Sequence, residues 1–186
     1  DGGWLNVLDR SVQFVNTNYI NLFNNNEFAE NPASNVTIAP SQITDITNTG
    51  TALILQANND ITVNQAITST AGGGGGDLTL QAGRSILLNA NITTDNGNLS
   101  LLANNTFADS ANRDAGNSIT GSTLTLTPTT STQNSQLGGT EGTTALDISA
   151  TDLSSLKDGF SNITINNLAN TGTVTLNTGI TFNDPV

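Results

Sequence analysis

The sequence predicts an all-β chain wound as a parallel β-helix, a solenoid with three short strands per coil of about 17–25 residues. Three observations predict it: a repeat that aligns without a gap, apolar residues that alternate at period two, and a composition poor in helix formers.

The repeat comes first, because self-similarity constrains architecture more than local propensity does. The segment ALILQANNDITVNQAI (residues 52–67) aligns with DLTLQAGRSILLNANI (residues 77–92). Leu53 and Leu55 match Leu78 and Leu80, Ile61 and Val63 match Ile86 and Leu88, and Ile67 matches Ile92. Each unit therefore holds three apolar alternations separated by turn residues, and alternation at period two marks strands with one buried face.

The first alternation recurs at Leu99/Leu101, Leu124/Leu126, Leu146/Ile148 and Ile163/Ile165. The leading positions 53, 78, 99, 124, 146 and 163 are expected to lie over one another in a single inward-facing stack. Val36 and Ile38, 17 residues before Leu53, are read as the start of a further coil. Val174/Leu176 and Ile180/Phe182 supply the second and third strands of the last one. Irregular coil lengths are assigned to loop insertions at residues 68–77 and 127–144, since surface loops cost little entropy.

Composition supports strands and turns. Only 10% of residues are charged, and Asn, Thr, Ser and Gly fill the difference. Asn and Gly favour turns and Thr favours strands. Two units follow: residues 1–35, an irregular N-terminal cap or atypical coil, and residues 36–186, the repeats. Five of the eight aromatics (Trp4, Phe14, Tyr19, Phe23, Phe28) lie in the first unit, where bulky rings can plug an open end. A chain that starts at Asp1 and contains no Met reads as a processed or excised region.

Composition also excludes chemistry. Fifteen acidic residues face four basic ones, Arg10, Arg84, Arg113 and Lys157, for a net charge of −11. Nucleic-acid binding needs clustered Lys and Arg, so no nucleic-acid partner is expected. No apolar run has the length of a membrane span, so no membrane insertion is expected. Cysteine and histidine are absent, which removes disulfides, thiolate chemistry and the commonest general base.

The stretch from Asp60 to Asn105, above all DLTLQAGRSILLNANI and NGNLSLLA, resembles filamentous-haemagglutinin-type repeats of large bacterial exoproteins. Residues 158–186 are similar to repeats that accompany them in long cyanobacterial surface proteins. The resemblance implies a right-handed β-helix, two-partner-type secretion, an extracellular or cell-surface location, and work in adhesion or surface architecture. It brings no catalytic residues. It implies neighbouring repeats of the same long chain as partners, with host or cell-surface glycans or proteins beyond them.

The run Gly72–Gly76 lacks the Gly-Lys-Ser/Thr of a phosphate loop and precedes a strand, so it reads as a flexible insertion. It also fails the calcium nonapeptide, because Thr79 stands where a strand hydrophobe is needed. Asp109, Asn112, Asp114 and Asn117 are oxygen ligands in one loop, yet they miss the EF-hand spacing, and turn chemistry explains them equally. No catalytic residue, metal ligand or cofactor is assigned. Asn96-Gly97 is a turn signal, read as a corner between strands in preference to a hairpin. Asn residues at equivalent corners are placed to form hydrogen-bonded ladders.

Polysaccharide-cleaving enzymes would need paired carboxylates on one face. Asp147 is expected to point outward between Leu146 and Ile148, without a partner carboxylate in phase. The chain is therefore read as non-enzymatic, a structural and adhesive segment. A carbohydrate-binding module is the alternative, with Phe107 and Phe160 as candidate sugar platforms. An ice-binding surface would use the Thr-x-Thr alternation in TLTLTPTT and TGTVTLNTG.

Overall fold

The structure, a computed structural model, describes residues 5–9, 11–14, 35–107, 119–139, 144–154, 156, 158–166, 169–177 and 179–186. In chain order it begins with β1 (Leu5–Asp9), β2 (Ser11–Phe14) and β3 (Asn35–Ile38), then helix α1 (Pro40–Thr47). Three similar units follow: β4 (Leu53–Ala57), β5 (Ile61–Val63) and β6 (Ile67–Thr68); then β7 (Leu78–Ala82), β8 (Ser85–Leu88) and β9 (Ile92–Thr93); then β10 (Leu99–Leu102), β11 (Thr106–Phe107) and β12 (Ile119–Thr120). The last part holds β13 (Thr123–Thr127), β14 (Ser135–Leu137), β15 (Leu146–Ile148), helix α2 (Ala150–Ser154), β16 (Asn162–Ile165) and β17 (Val174–Leu176).

All strand pairings in the described residues are parallel, and they form three sheets. One has six strands in the order β1-β4-β7-β10-β13-β16, a second has eight in the order β17-β14-β15-β11-β8-β5-β2-β3, and a third has three in the order β12-β9-β6. In the six-stranded sheet the register stacks Leu5, Leu53, Leu78, Leu99, Leu124 and Ile163 in one column, and Val7, Leu55, Leu80, Leu101, Leu126 and Ile165 in the next. In-register pairing keeps the column residues from Leu53 to Ile163 on one face, and a slip of one residue would turn them to the other. Leu53, Leu55, Leu78, Leu80, Leu99, Leu101, Leu124 and Leu126 are fully buried there. The columns account for much of the hydrophobic stabilisation, at about 1.5–3 kcal/mol for each buried Leu or Ile.

The uniform all-β, right-handed parallel β-helix is corrected by this architecture, which is mixed. Two helices interrupt the strands, and the sheets are unequal, the third having only two-residue strands. Two placements depart from the single stack. Leu146 and Ile148 lie in the eight-stranded sheet, because the chain doubles back after β14 and wedges β15 between β11 and β14. The Leu146 N–H donates to the Asn134 carbonyl at 2.7 Å, and the Asp147 N–H to the Asn105 carbonyl at 2.8 Å. Val36 and Ile38 likewise belong to the eight-stranded sheet, as part of its terminal strand β3. The residues that precede Leu53 in the six-stranded column are those of β1.

Neither helix was predicted, and both have local causes. Helix α1 starts with Pro at its first position, where a missing N–H costs nothing. The Gln42 side chain turns back to accept the Ala39 N–H at 2.9 Å. Its Ser/Thr content is poor for a helix, so packing of fully buried Ile43 and Thr47 beside β6 and β4 stabilises it instead. Helix α2 opens with a reciprocal cap: the Ser149 N–H donates to Asp152 Oδ2 at 2.8 Å and the Asp152 N–H to Ser149 Oγ at 3.2 Å. The Ser-x-x-Asp spacing that encodes it is visible in the sequence.

Of the expected cap, β1 and β2 join the two larger sheets; Trp4, Tyr19, Phe23 and Phe28 lie outside the described residues.

Candidate functional site

The corners between sheets are where polar side chains gather. Thr94–Gly97 turns the chain from β9 to β10, which are not paired with each other. Asp95 and Asn96 take φ of 52° and 71°, the left-handed region that Asn and Asp tolerate best among residues with a Cβ. The strained pair is held from outside: Asp95 Oδ2 accepts the Gly73 N–H at 3.0 Å, and Asp95 O accepts the Gly75 N–H at 3.0 Å. The run Gly72–Gly76 is thus a fitted part of the fold where a flexible insertion was expected. A Cβ on Gly75 would overlap the Thr94 carbonyl and one on Gly76 the backbone of Thr51, so at these two positions the close approach requires glycine.

Beside this corner lies a cleft of about 270 Å³ lined by Thr93, Asp95, Asn96, Gly121, Asp158, Gly159 and Phe160. Its far wall is positioned by the Gly159 N–H, which donates to Asp184 Oδ1 at 2.9 Å. Phe160 is buried, so it forms a wall of the cleft and not the exposed sugar platform expected of it. The lining offers two carboxylates, an amide, a hydroxyl and one aromatic face. That set suits hydrogen bonding to a neutral polyhydroxylated ligand. A second cleft of about 330 Å³ lies between α2 and the C-terminal segment, lined by Ala150, Leu153, Ser154, Leu156, Gly179, Thr181 and Asn183.

Comparison with family models, curated proteins and solved structures yields no match to this chain.

The other sequence candidates are dispersed. Asp109, Asn112, Asp114 and Asn117 lie outside the described residues, among which no group of three or more His, Cys, Asp or Glu side chains is placed to hold a metal ion. No helix among the described residues is long and apolar enough to cross a membrane. Asp147 is 2% exposed, so it is not the solvent-facing carboxylate expected, and its strand is paired on both edges by β11 and β14. Asp77 is engaged in bracing, its Oδ1 accepting the Asn98 N–H at 2.8 Å.

Asp77 belongs to a recurring device that the sequence reading missed. Asn48 accepts the Thr70 N–H, Asp60 the Ser85 N–H, Asn104 the Thr130 N–H and Asn134 the Thr173 N–H. Each bond joins residues more than 20 apart in sequence and ties one unit to the next. Side-chain ladders accompany them, Asn89 Nδ2 donating to Asn64 Oδ1 and Gln56 Nε2 to Gln81 Oε1, both at 2.8 Å. The Asn64–Asn89 ladder is of the kind expected for Asn at equivalent positions of the 25-residue repeat, whereas the Asx braces were not foreseen. Asp60 also holds Arg84, whose guanidinium is pushed above its ordinary pKa first by the hydrogen bond and then by the charge of Asp60.

Proposed function

We propose that this chain is a non-catalytic structural and adhesive segment of a larger secreted or cell-surface bacterial protein. Its partners are neighbouring repeats of the same long chain and, through its outer faces, cell-surface glycans or proteins. The observation that carries the reading is the division of labour in the paired 25-residue units. Inward positions repeat the same aliphatic columns, while Gln56 and Gln81, and Asn64 and Asn89 just past the strands, join the units through amide ladders. The resemblance of DLTLQAGRSILLNANI and NGNLSLLA to filamentous-haemagglutinin-type repeats points the same way. Beads coated with the chain should stay on bacterial or host cells under flow that removes albumin-coated beads. Equal loss of both bead types, or release of reducing ends from a polysaccharide panel, would overturn the proposal.

A carbohydrate-binding role is the second reading, and the cleft bounded by Asp95, Asn96, Asp158 and Phe160 favours it. A glycan array should then show hits that Asp158→Ala weakens. Asp158 is exposed, so its removal leaves the fold intact.

A further inference from the structure

We propose that the outer face of the six-stranded sheet binds an extended neutral polysaccharide, a β-linked hexose ribbon laid across β7, β10, β13 and β16. This face gives the adhesive reading above a place and a class of glycan, and it depends on that reading. Leu78, Leu80, Leu99, Leu101, Leu124, Leu126 and Ile163 are buried, so the residues that alternate with them turn outward. Register sets those outward residues in two ranks. Thr79, Ser100, Thr125 and Thr164 form one, and Thr123 pairs with Asn162 in the other. Asp77 and Asn98 extend the second rank, each standing one residue before the paired Leu78 and Leu99. Four neighbouring strands thus present one unit, an Asp, Asn or Thr followed two residues on by a hydroxyl. Unequal connections between the strands leave this register intact.

The bonding of these side chains points to a ligand. Adjacent strands lie about 4.8 Å apart, so a short hydroxyl cannot reach its neighbour in the same rank. Longer side chains bridge the gap, as Gln56 does to Gln81, and Thr123 Oγ1 reaches Asn98 Oδ1 at 2.7 Å. The hydroxyls of Thr79, Ser100 and Thr125 have no protein partner among the described residues. Threonine is stiff at χ1, so this row holds its donors and acceptors in place. A ribbon of sugar rings repeats its hydroxyls at nearly the same spacing. In the second rank Asp77 Oδ1 accepts the Asn98 N–H, Asn98 Oδ1 accepts Thr123 Oγ1, and Asn162 Nδ2 donates to Thr164 Oγ1 at 3.0 Å. Each of the three keeps its other polar atom for the vicinal diols of a sugar. Amides and a carboxylate mixed with hydroxyls suit diols better than they suit the uniform lattice of ice. Charge narrows the class further. In a chain of net charge −11, Asp77 is the one charged residue in the two ranks, which hold neither Lys nor Arg. An anionic polysaccharide finds no cation there, and a neutral one meets no repulsion. Neither rank holds an aromatic, so hydrogen bonds to a flat ribbon replace ring stacking.

Affinity electrophoresis tests this, since the acidic chain migrates readily through native gels. Gels containing hydroxyethyl cellulose or glucomannan should retard it. Gels containing alginate, an anionic ribbon, or dextran, a neutral flexible coil, should not. A triple variant carrying Thr79→Val, Ser100→Ala and Thr125→Val removes only outward hydroxyls, so its melting curve should match that of wild type. Its dissociation constant for the retarding polysaccharide should rise at least about tenfold, as the loss of three ordinary hydrogen bonds implies. Retardation by alginate or dextran as strong as by the ribbons, a triple variant retarded like wild type, or thermal hysteresis in ice growth without retardation would each overturn the proposal. Beads of the wild-type chain that hold to cells under flow, while neither ribbon retards it, would overturn this inference alone. Loss of both would overturn the adhesive reading with it.

Discussion

Asp60 and Arg84 face each other across adjacent units, with Arg84 Nε donating to Asp60 Oδ1 at 2.8 Å, while the same carboxylate oxygen accepts the Ser85 N–H at 3.1 Å. The two bonds differ in what they protect. The Arg84 side chain is 60% exposed and that of Asp60 is 17% exposed, so the ion pair is largely screened by water, whereas the Ser85 N–H is partly buried. Arg84→Gln should therefore cost less than about 1 kcal/mol. Asp60→Ala should cost about 1–3 kcal/mol, because it also strands a backbone donor. Urea melts of the two variants check the order; equal losses would mean that the ion pair carries the contact.

Leu80 and Leu176 are both leucines on strands in inward columns, yet one is completely buried and the other 71% exposed. Leu80→Ala leaves a cavity between Leu55 and Leu101 and should lower stability by about 2–5 kcal/mol. Leu176→Ala should stay within about 0.5 kcal/mol in dilute solution, as surface substitutions do. Thermal denaturation at low micromolar concentration separates the two.

Ser135 sits on β14 at 1% exposure, and its hydroxyl has no hydrogen-bond partner. Its register neighbours are Leu146 and Val174, both aliphatic. Ser135→Ala removes a buried polar group that lost water on folding without compensation, so it should stabilise the chain by about 1 kcal/mol. That corresponds to about 2–4 °C in Tm for a chain of this size. A fall in Tm would show that the hydroxyl is satisfied in solution.

Gly72 and Gly76 lie four residues apart and should respond differently to alanine. A Cβ on Gly72 meets nothing within 4 Å, and its φ of 67° sets a cost of about 1–2 kcal/mol. A Cβ on Gly76 would penetrate the backbone of Thr51, which forces two units apart. Gly76→Ala should be the more damaging of the two, with amide exchange of the Leu53 N–H, bonded to the Asp77 carbonyl at 2.8 Å, accelerated in that variant alone.

The candidate site was less legible than the fold. Glycine runs and Asn-Gly pairs read as loops because the sequence records conformational freedom and not what the freedom is used for. The same residues close the wall of a cleft once Asp95 reaches Gly73 and Gly159 reaches Asp184. Those contacts join residues 22 and 25 apart, beyond any local pattern. Phe160 was visible as an aromatic but not as a buried one. The inter-unit Asx braces were partly legible, since Asn64 and Asn89 occupy equivalent repeat positions. Asn104 and Thr130 do not, and only coordinates pair them.

The sequence by itself determined which residues face inward, because alternation at period two records burial directly: Leu53, Leu78, Leu99, Leu124 and Ile163 follow one another along a single column. It also determined the turn-rich, strand-rich character of the chain and the exclusion of thiol and imidazole chemistry. Tertiary structure alone decided which sheet each alternation joins. Leu146/Ile148 and Val36/Ile38 carry the same pattern as the column residues, yet pair elsewhere, because a period of two is identical in every sheet and neighbours are chosen by chain return and hydrogen-bond supply. It likewise decided the two helices, whose weak propensities are overridden by caps and by the burial of Ile43 and Leu153 in the hydrophobic core.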